Sequence, residues 1–240
     1  MKAIILAAGR GSRMGELTND QPKCLIPFLG KPLIEHQIDT LQQAGIKEIA
    51  LVTGYKAEAL KKYKVHFFHN QLWEETNIVG SLFCAFEWLK SDDCLVSYSD
   101  IFYEKAIVTA LMKNEDEIAI AYDPDWLSLW KKRFDDPLSD AESFKLNEDG
   151  CLIEIGLKSS NIREIQGQYM GFLKFNKRVW GKMNLEEFLQ KDITAWLQQL
   201  IKRDFIIRGV KNKKMWIEID SSHDLYISQK IFKDFSNAID

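Results

Sequence analysis

The sequence predicts an α/β fold: a mostly parallel mixed sheet flanked by helices, with an antiparallel extension in the second half. Three observations carry that reading. Short apolar runs alternate with amphipathic segments up to about Asp123, the rhythm of βαβ units. Beyond that point the rhythm gives way to short strands without long crossovers. A glycine-rich stretch follows the first apolar run directly, where open α/β sheets place their ligand loops.

The elements follow in order. Residues 2–6 read as a fully buried strand. Residues 32–44 read as a helix, with Pro32 in its first turn, Gly45 as its stop, and Leu33, Ile34, Ile38, Leu41 and Ala44 on one face. A second strand ("IKEIALVTGY", 46–55) leads to a short helix ("KAEALKKY", 56–63) and a third strand ("VHFF", 65–68). A helix over 81–89, a strand over 94–100 ending in Asp100, a helix over 103–113 and a strand over 117–122 complete the regular part. The segment 123–144, "DPDWLSLWKKRFDDPLSDAESF", is irregular, acidic and aromatic. Short strands follow at 143–147, 151–156 and 168–175. Helices near 184–203, strands at 205–210 and 215–220 and a last helix close the chain. We expect one domain over 1–240, with an active site where 1–123 meets 124–240.

Composition narrows the function. A chain of 240 residues, 46% hydrophobic, can bury a sizeable core. A net charge of -3 argues against a nucleic-acid partner, whose footprint is a basic patch. Cys24, Cys84, Cys94 and Cys151 show neither C-x-x-C spacing nor a histidine at ligand spacing, so free thiols in a reducing compartment are expected. The first apolar run is too short for a signal peptide, and no run reaches the ~18 apolar residues of a membrane span. We expect a cytoplasmic protein with no membrane partner, and the sequence leaves room for a homodimer.

The loop after the first strand reads "AAGRGSRMG". A dinucleotide fingerprint, G-x-G-x-x-G, would need its third glycine one position before Gly15, and an acid at the end of the second strand, where Thr53-Gly54 stands. No P-loop string occurs. What remains is L-A-A-G-x-G-x-R followed by Pro22-Lys23. Ala7, Ala8 and Gly9, after Leu6, leave room for a base and ribose near the backbone. Gly11 and Ser12 free backbone N–H groups for phosphate oxygens. Arg13 offers a fork of donors to a triphosphate, and Lys23 a compact second cation.

The stretch "ILAAGRGSRMGELTNDQPKCLIPFLGKPLIEHQI" closely resembles the signature of the nucleotidyltransferase (pyrophosphorylase) superfamily. The resemblance implies a Rossmann-like three-layer fold, with a nucleotide-binding half (1–123) and an acceptor-binding half (124–240). It implies Mg²⁺-dependent transfer of a nucleotidyl group to a phosphorylated acceptor with release of pyrophosphate. It gives Arg13 the leaving phosphates and Lys23 the phosphates at the reaction centre. Asp100 ends a strand, and Glu218 and Asp220 in "WIEID" share one side of a later strand. Mg²⁺ is typically held by one or two carboxylates plus phosphates and water. The resemblance makes Asp100 and Asp220 that pair, although Asp220 also suits a helix cap.

Within the superfamily, "ETNIVGSLFCA", "EIQGQYMGFLKF" and the 123–144 insert resemble small cytidylyltransferases of the phosphocholine type. That implies CTP and an acceptor such as phosphocholine, phosphoethanolamine, aminoethylphosphonate or a phosphorylated amino acid. It places Asn77 and Ser81 at the nucleotide, Lys158 near the reacting phosphates and Tyr169 in the acceptor pocket, with Glu218 a further acceptor-side candidate. Trp126 and Trp130, with Asp135, Asp136, Asp140 and Glu142, combine aromatic faces with negative charge, which suits a cationic acceptor. Of these acids Glu142 is the one singled out. Spaced four apart, the two tryptophans also fit one helical face packed on the core. The alternatives are a sugar-1-phosphate nucleotidyltransferase making an NDP-sugar, and a catalytically silent nucleotide-binding regulatory domain. The joint presence of Arg13, Lys23, Asp100 and Asp220 speaks against the latter.

Overall fold

The first apolar run forms β1 (Lys2–Ala7), buried from Ala3 onward. Near-continuous burial marks a strand covered on both faces. In the computed structural model, which describes residues 1–237, β1 lies inside a seven-stranded sheet. A minimal hairpin of β2 (Pro27–Phe28) and β3 (Lys31–Pro32) precedes α1 (Leu33–Gln43). Then come β4 (Ile49–Thr53), β5 (His66–His69), α2 (Ile78–Phe83), α3 (Phe86–Ser91), β6 (Cys94–Tyr98), β7 (Ile101–Tyr103), α4 (Lys105–Lys113) and β8 (Ile118–Asp123). The second half supplies α5 (Trp126–Arg133), β9 (Glu142–Leu146), β10 (Leu152–Lys158), β11 (Gln168–Phe175), α6 (Ile193–Ile201), β12 (Ile207–Lys211), β13 (Trp216–Glu218) and α7 (Ser222–Asn237). Helix α1 packs with α4, and α2 with α6.

The sheet order is β12-β8-β11-β6-β1-β4-β5, and all pairs are parallel except those of β11. The mostly parallel mixed sheet expected from the sequence is present, and its antiparallel strand comes from the second half of the chain. The antiparallel strand is not appended at an edge but inserted between β6 and β8. Its residues Met170, Phe172, Leu173 and Phe175 are all buried, a pattern that needs cover on both faces. β9 and β10 form a separate antiparallel hairpin, and β13 pairs with β7.

Other expectations shift locally. The helix expected over 56–63 is a single turn, Ala57–Leu60, because Lys56 takes a left-handed φ of 48°. The helix expected over 81–89 starts earlier and breaks at Ala85 into α2 and α3. The irregular 123–144 segment contains α5. The helices expected near 184–203 reduce to a turn at Leu185–Phe188 and α6. Among the described residues no helix is long and apolar enough to cross a membrane, and the four cysteines are free.

A second, smaller core positions the site. Met14 from the glycine-rich loop, Ile26, Phe28 and Leu33 pack against Ile217 and Ile219. Because side chains alternate in an extended chain, burying Ile217 and Ile219 turns Glu218 and Asp220 the other way. Each buried isoleucine is worth about 2 kcal/mol, so this cluster holds the first loop against the last strand.

Candidate active site

The loop beyond β1 is anchored before any ligand enters. Tyr55 donates its backbone N–H to Ala8 O at 2.8 Å and its hydroxyl to Thr18 O at 2.9 Å. The Thr18 hydroxyl donates to Gly11 O and Gly15 O, each at 3.2 Å. Ala7 and Ala8 are buried beneath the turn. Gly11 has φ +71, and a Cβ there would come within 2.7 Å of the Lys23 side chain. Glycine is needed at this point for backbone conformation and for room above the lysine.

Lys23 is 7% exposed and donates to Asp100 Oδ2 at 2.7 Å and to Asp220 Oδ1. Burial alone would lower its pKa, but Asp100 and Asp220 outweigh that and hold it above the ordinary value. Arg13 Nη2 meets Asp220 Oδ2 at 2.7 Å, with its side chain largely in solvent. The strand expected to end in Asp100 stops at Tyr98, so Asp100 sits in the turn into β7. Arg13 and Lys23 from the glycine-rich loop, Asp100 from the turn before β7 and Asp220 from just beyond the end of β13 thus converge from three stretches of chain.

Two cavities meet there. One, of about 270 Å³, is lined by Leu6, Gly9, Gly11, Ser12, Lys23 and Asp100. The other, of about 330 Å³, is lined by Trp130, Asp140, Glu142, Tyr169, Asp192 and Glu218. Arg13, Tyr98 and Asp220 line both. Gly171 has φ +71, at a bulge in β11, and a Cβ on it would meet the Tyr98 ring at 2.8 Å. That glycine lets β11 close against the junction. A larger recess of about 510 Å³ near Glu117, Lys182 and Arg203 lies apart from these residues, and its two cations are paired with Glu117 and Glu187.

The second cavity is acidic. Burial pushes the carboxyls of Asp140 and Glu142 above the usual range. Glu218 is pushed up to about 7 by burial and by Asp220, against the pull of Arg133. Trp130 donates its indole N–H to Asp140 Oδ2 at 3.0 Å, and the Tyr98 and Tyr169 rings meet edge to face at 5.8 Å.

Several expected residues stand elsewhere. Trp126 is 3% exposed, donates its indole N–H to Ile165 O at 3.3 Å and lines neither cavity, whereas Trp130, equally buried and packed against Trp126, also lines the second cavity. Asn77 caps α2, its Oδ1 accepting from the Ile78 N–H at 2.7 Å; it is Ile78 that reaches the first cavity. Ser81 Oγ accepts from buried Asn70 Nδ2 at 3.1 Å. Lys158 is exposed at the end of β10, opposite Glu142 in register. Asp135 and Asp136 are outside both cavities, and Asp136 caps Leu138 N–H.

The sequence reading missed Arg133, Asp192 and Tyr98. Asp192 carried a signal, since it precedes "ITAW" and caps α6 by accepting from Ala195 N–H at 2.7 Å. Arg133 and Tyr98 carried none, because tertiary contacts alone define their surroundings.

The residues fit a magnesium ion. Asp100 and Asp220 already converge on one ammonium, and Asp100 Oδ1 is buried without a hydrogen-bond partner. Among the described residues there is no group of three or more His, Cys, Asp or Glu side chains that could hold a metal. Two carboxylates completed by phosphates and water match Mg²⁺, not a protein-saturated zinc centre.

Known proteins similar to this chain are nucleotidyltransferases. The model of the MobA-like NTP transferase domain matches residues 3–148. The CTP:phosphoglutamine cytidylyltransferase of Campylobacter jejuni is 39% identical over 250 residues, covering 95% of this chain and 98% of that protein. The inositol-1-phosphate CTP transferase of T. maritima superposes with a TM-score of 0.73 at 23% identity, over 96% of this chain and 95% of that one. The CTP:phosphocholine cytidylyltransferase of Streptococcus pneumoniae does so with a TM-score of 0.71 at 22% identity, over 96% and 98%. These two structures share the Rossmann-like α/β fold.

Proposed function

The chain belongs to the MobA-like NTP transferase domain family and is a nucleotidyltransferase, and on that premise we propose a Mg²⁺-dependent cytidylyltransferase acting on a small phosphorylated acceptor that carries an ammonium group. The supporting observation is the meeting of two cavities at Arg13 and Asp220, with Lys23 buried beneath them. CTP occupies the glycine-loop cavity and the acceptor occupies the acidic one. An acceptor phosphate oxygen attacks the α-phosphorus in line. A new P–O bond forms, and the bond to the β,γ-diphosphate breaks, releasing pyrophosphate.

The acceptor phosphate is already an anion, so the reaction needs no general base. Catalysis reduces to alignment and charge neutralisation. Arg13, at the junction, pairs with the departing phosphates. Lys23 holds a fixed positive charge at the reaction centre. Asp100 and Asp220 would hold Mg²⁺, which when bound neutralises phosphate charge and orients the triphosphate.

Asp140, Glu142, Asp192 and Glu218 place four carboxylates around the acceptor, with the Trp130 face beside them. A cationic group is drawn to such a wall, whereas a neutral hexose would leave its negative charge offset, among the described residues, only by Arg133 at Glu218. A phosphorylated amino acid or amine fits, as does the substrate named for the Campylobacter relative. The preference for cytosine rests on that relative. We place the reaction in the cytoplasm, consistent with four free cysteines.

The test is pyrophosphate release with each of the four common NTPs against phosphocholine, phosphoethanolamine, aminoethylphosphonate, phosphorylated amino acids and hexose 1-phosphates. Release with CTP and an amine-bearing acceptor is expected. No release with any pair would sink the enzyme reading, and release with a hexose phosphate alone would sink the acceptor.

A further inference from the structure

Arg133 ends α5, and its side chain is only 2% exposed. Its Nε donates to Asp224 Oδ1 at 2.8 Å and its Nη1 to Glu218 Oε2 at 2.9 Å. The guanidinium carbon lies 5.0 Å from the Trp130 ring centroid. The other oxygen of Asp224 accepts from the backbone N–H of Asp220 at 3.1 Å, the N–H of Ser221 at 2.9 Å and the Ser221 hydroxyl at 2.8 Å. A continuous chain of charged contacts therefore runs from the acceptor cavity wall, at Trp130 and Glu218, through Arg133 and Asp224 to the turn that carries Asp220.

Stability does not account for this network. Replacing a buried ion cluster by apolar residues of similar volume is often neutral or stabilising. What the network supplies is a fixed geometry, because the two oxygens of Asp224 act in different places. One binds Arg133, and the other shapes the Asp220 turn. Partners of this kind behind a metal ligand are what hold it in place.

We propose that Arg133 is a positioning residue that sets the Asp220 carboxylate through Asp224 and ties it mechanically to the acceptor cavity. It touches no reacting atom. The proposal rests on the reading of Asp220 as a ligand of the divalent cation.

The test pairs Arg133→Lys with Mn²⁺ binding in the presence of CTP, followed by the spin-resonance signal of free Mn²⁺, and with steady-state pyrophosphate release. Lysine keeps the buried charge but cannot span both carboxylates. Expected are a Mn²⁺ dissociation constant raised about tenfold, kcat lowered at least about tenfold and a KM for CTP within about twofold of wild type. A lower melting temperature with unchanged Mn²⁺ affinity and kcat overturns the proposal. Should Arg133→Lys fail to fold, Asp224→Asn serves. It preserves an acceptor for the turn while opposing a donor to Arg133, and wild-type Mn²⁺ affinity in it overturns the link equally. Wild-type protein that binds no Mn²⁺ with CTP present overturns the metal reading together with the link. Wild-type binding that Arg133→Lys leaves unchanged overturns the link alone.

Discussion

The two cavities that share Arg13 and Asp220 are built on different principles. The cavity proposed for the nucleotide is lined mainly by the short stretch 6–23, completed by Ile78, Tyr98, Asp100 and Asp220; the loop's backbone is pinned by Thr18 and Tyr55 and its buried cation is Lys23. The cavity proposed for the acceptor draws on α5, the 134–142 segment, β11, the start of α6 and β13, and its polar lining is carboxylates and rings. The first is a local, backbone-rich cradle. The second is a tertiary assembly whose charge can be changed one side chain at a time. The two meet at one arginine–carboxylate pair, Arg13 and Asp220.

Substitutions can break that contrast or sharpen it. The largest effect belongs to the shared centre. Asp100→Asn is expected to reduce turnover by about 10²–10³-fold with the fold intact by circular dichroism, and near-wild-type turnover would remove Asp100 from the reaction centre. Next, Glu142→Gln should raise the acceptor KM about tenfold, the loss of roughly one charge-assisted contact, while the CTP KM holds. A matching rise in CTP KM would show that the cavities are not separable.

A smaller, graded effect follows from pH. Asp140 and Glu142 lie above the ordinary carboxylate range through burial, so they become neutral at a higher pH than exposed acids do. Affinity for a cationic acceptor is then lost as pH falls through those raised values. Stability moves oppositely: their ionisation costs the fold most at neutral pH and the cost vanishes on acidification. The acid limb of kcat/KM for the acceptor should flatten in Glu142→Gln, and an unchanged limb would refute the assignment. The smallest effect separates the tryptophans. Trp126→Phe should lower the melting temperature by a few degrees, about 1 kcal/mol, with acceptor KM unchanged. Trp130→Phe, which loses the bond to Asp140, should raise that KM severalfold, and equal behaviour of the two variants would contradict their different placement.

How much of this is legible in sequence depends on range. The glycine loop, Lys23 and the alternation in "WIEID" are local patterns, and each carries its physics within a few residues. The strand and helix rhythm of 1–123 is readable for the same reason. The place of β11 is not, because "QYMGFLKF" states that it is buried without stating beside what. Arg133 sits among Lys131 and Lys132 as one more cation of an acidic, aromatic segment, and only its buried partners distinguish it. Trp126 and Trp130 share a helix, so spacing cannot divide core from cavity. Resemblance alone draws Lys158, Asn77 and Ser81 to the site, and the tertiary structure lodges them in a strand end, a cap and a buried amide contact.

The position of β11 also bears on how such a protein can be made and inherited. Strands β6 and β8 are complete by Asp123, yet the strand that joins them comes from residues 168–175. During synthesis β8 has no neighbour until β11 and β12 leave the ribosome, and the edge of β6 stays open meanwhile. Such non-local pairing folds slowly and exposes strand edges on the way. It also means that the two halves of the chain share one sheet. A recombination event that imports a new acceptor half must import the strand running through the middle of the nucleotide-side sheet, together with the glycine that lets it pass Tyr98. Exchanging residues 124–240 as a block therefore replaces a strand buried inside the sheet, whereas single side chains around the second cavity can be changed without touching it.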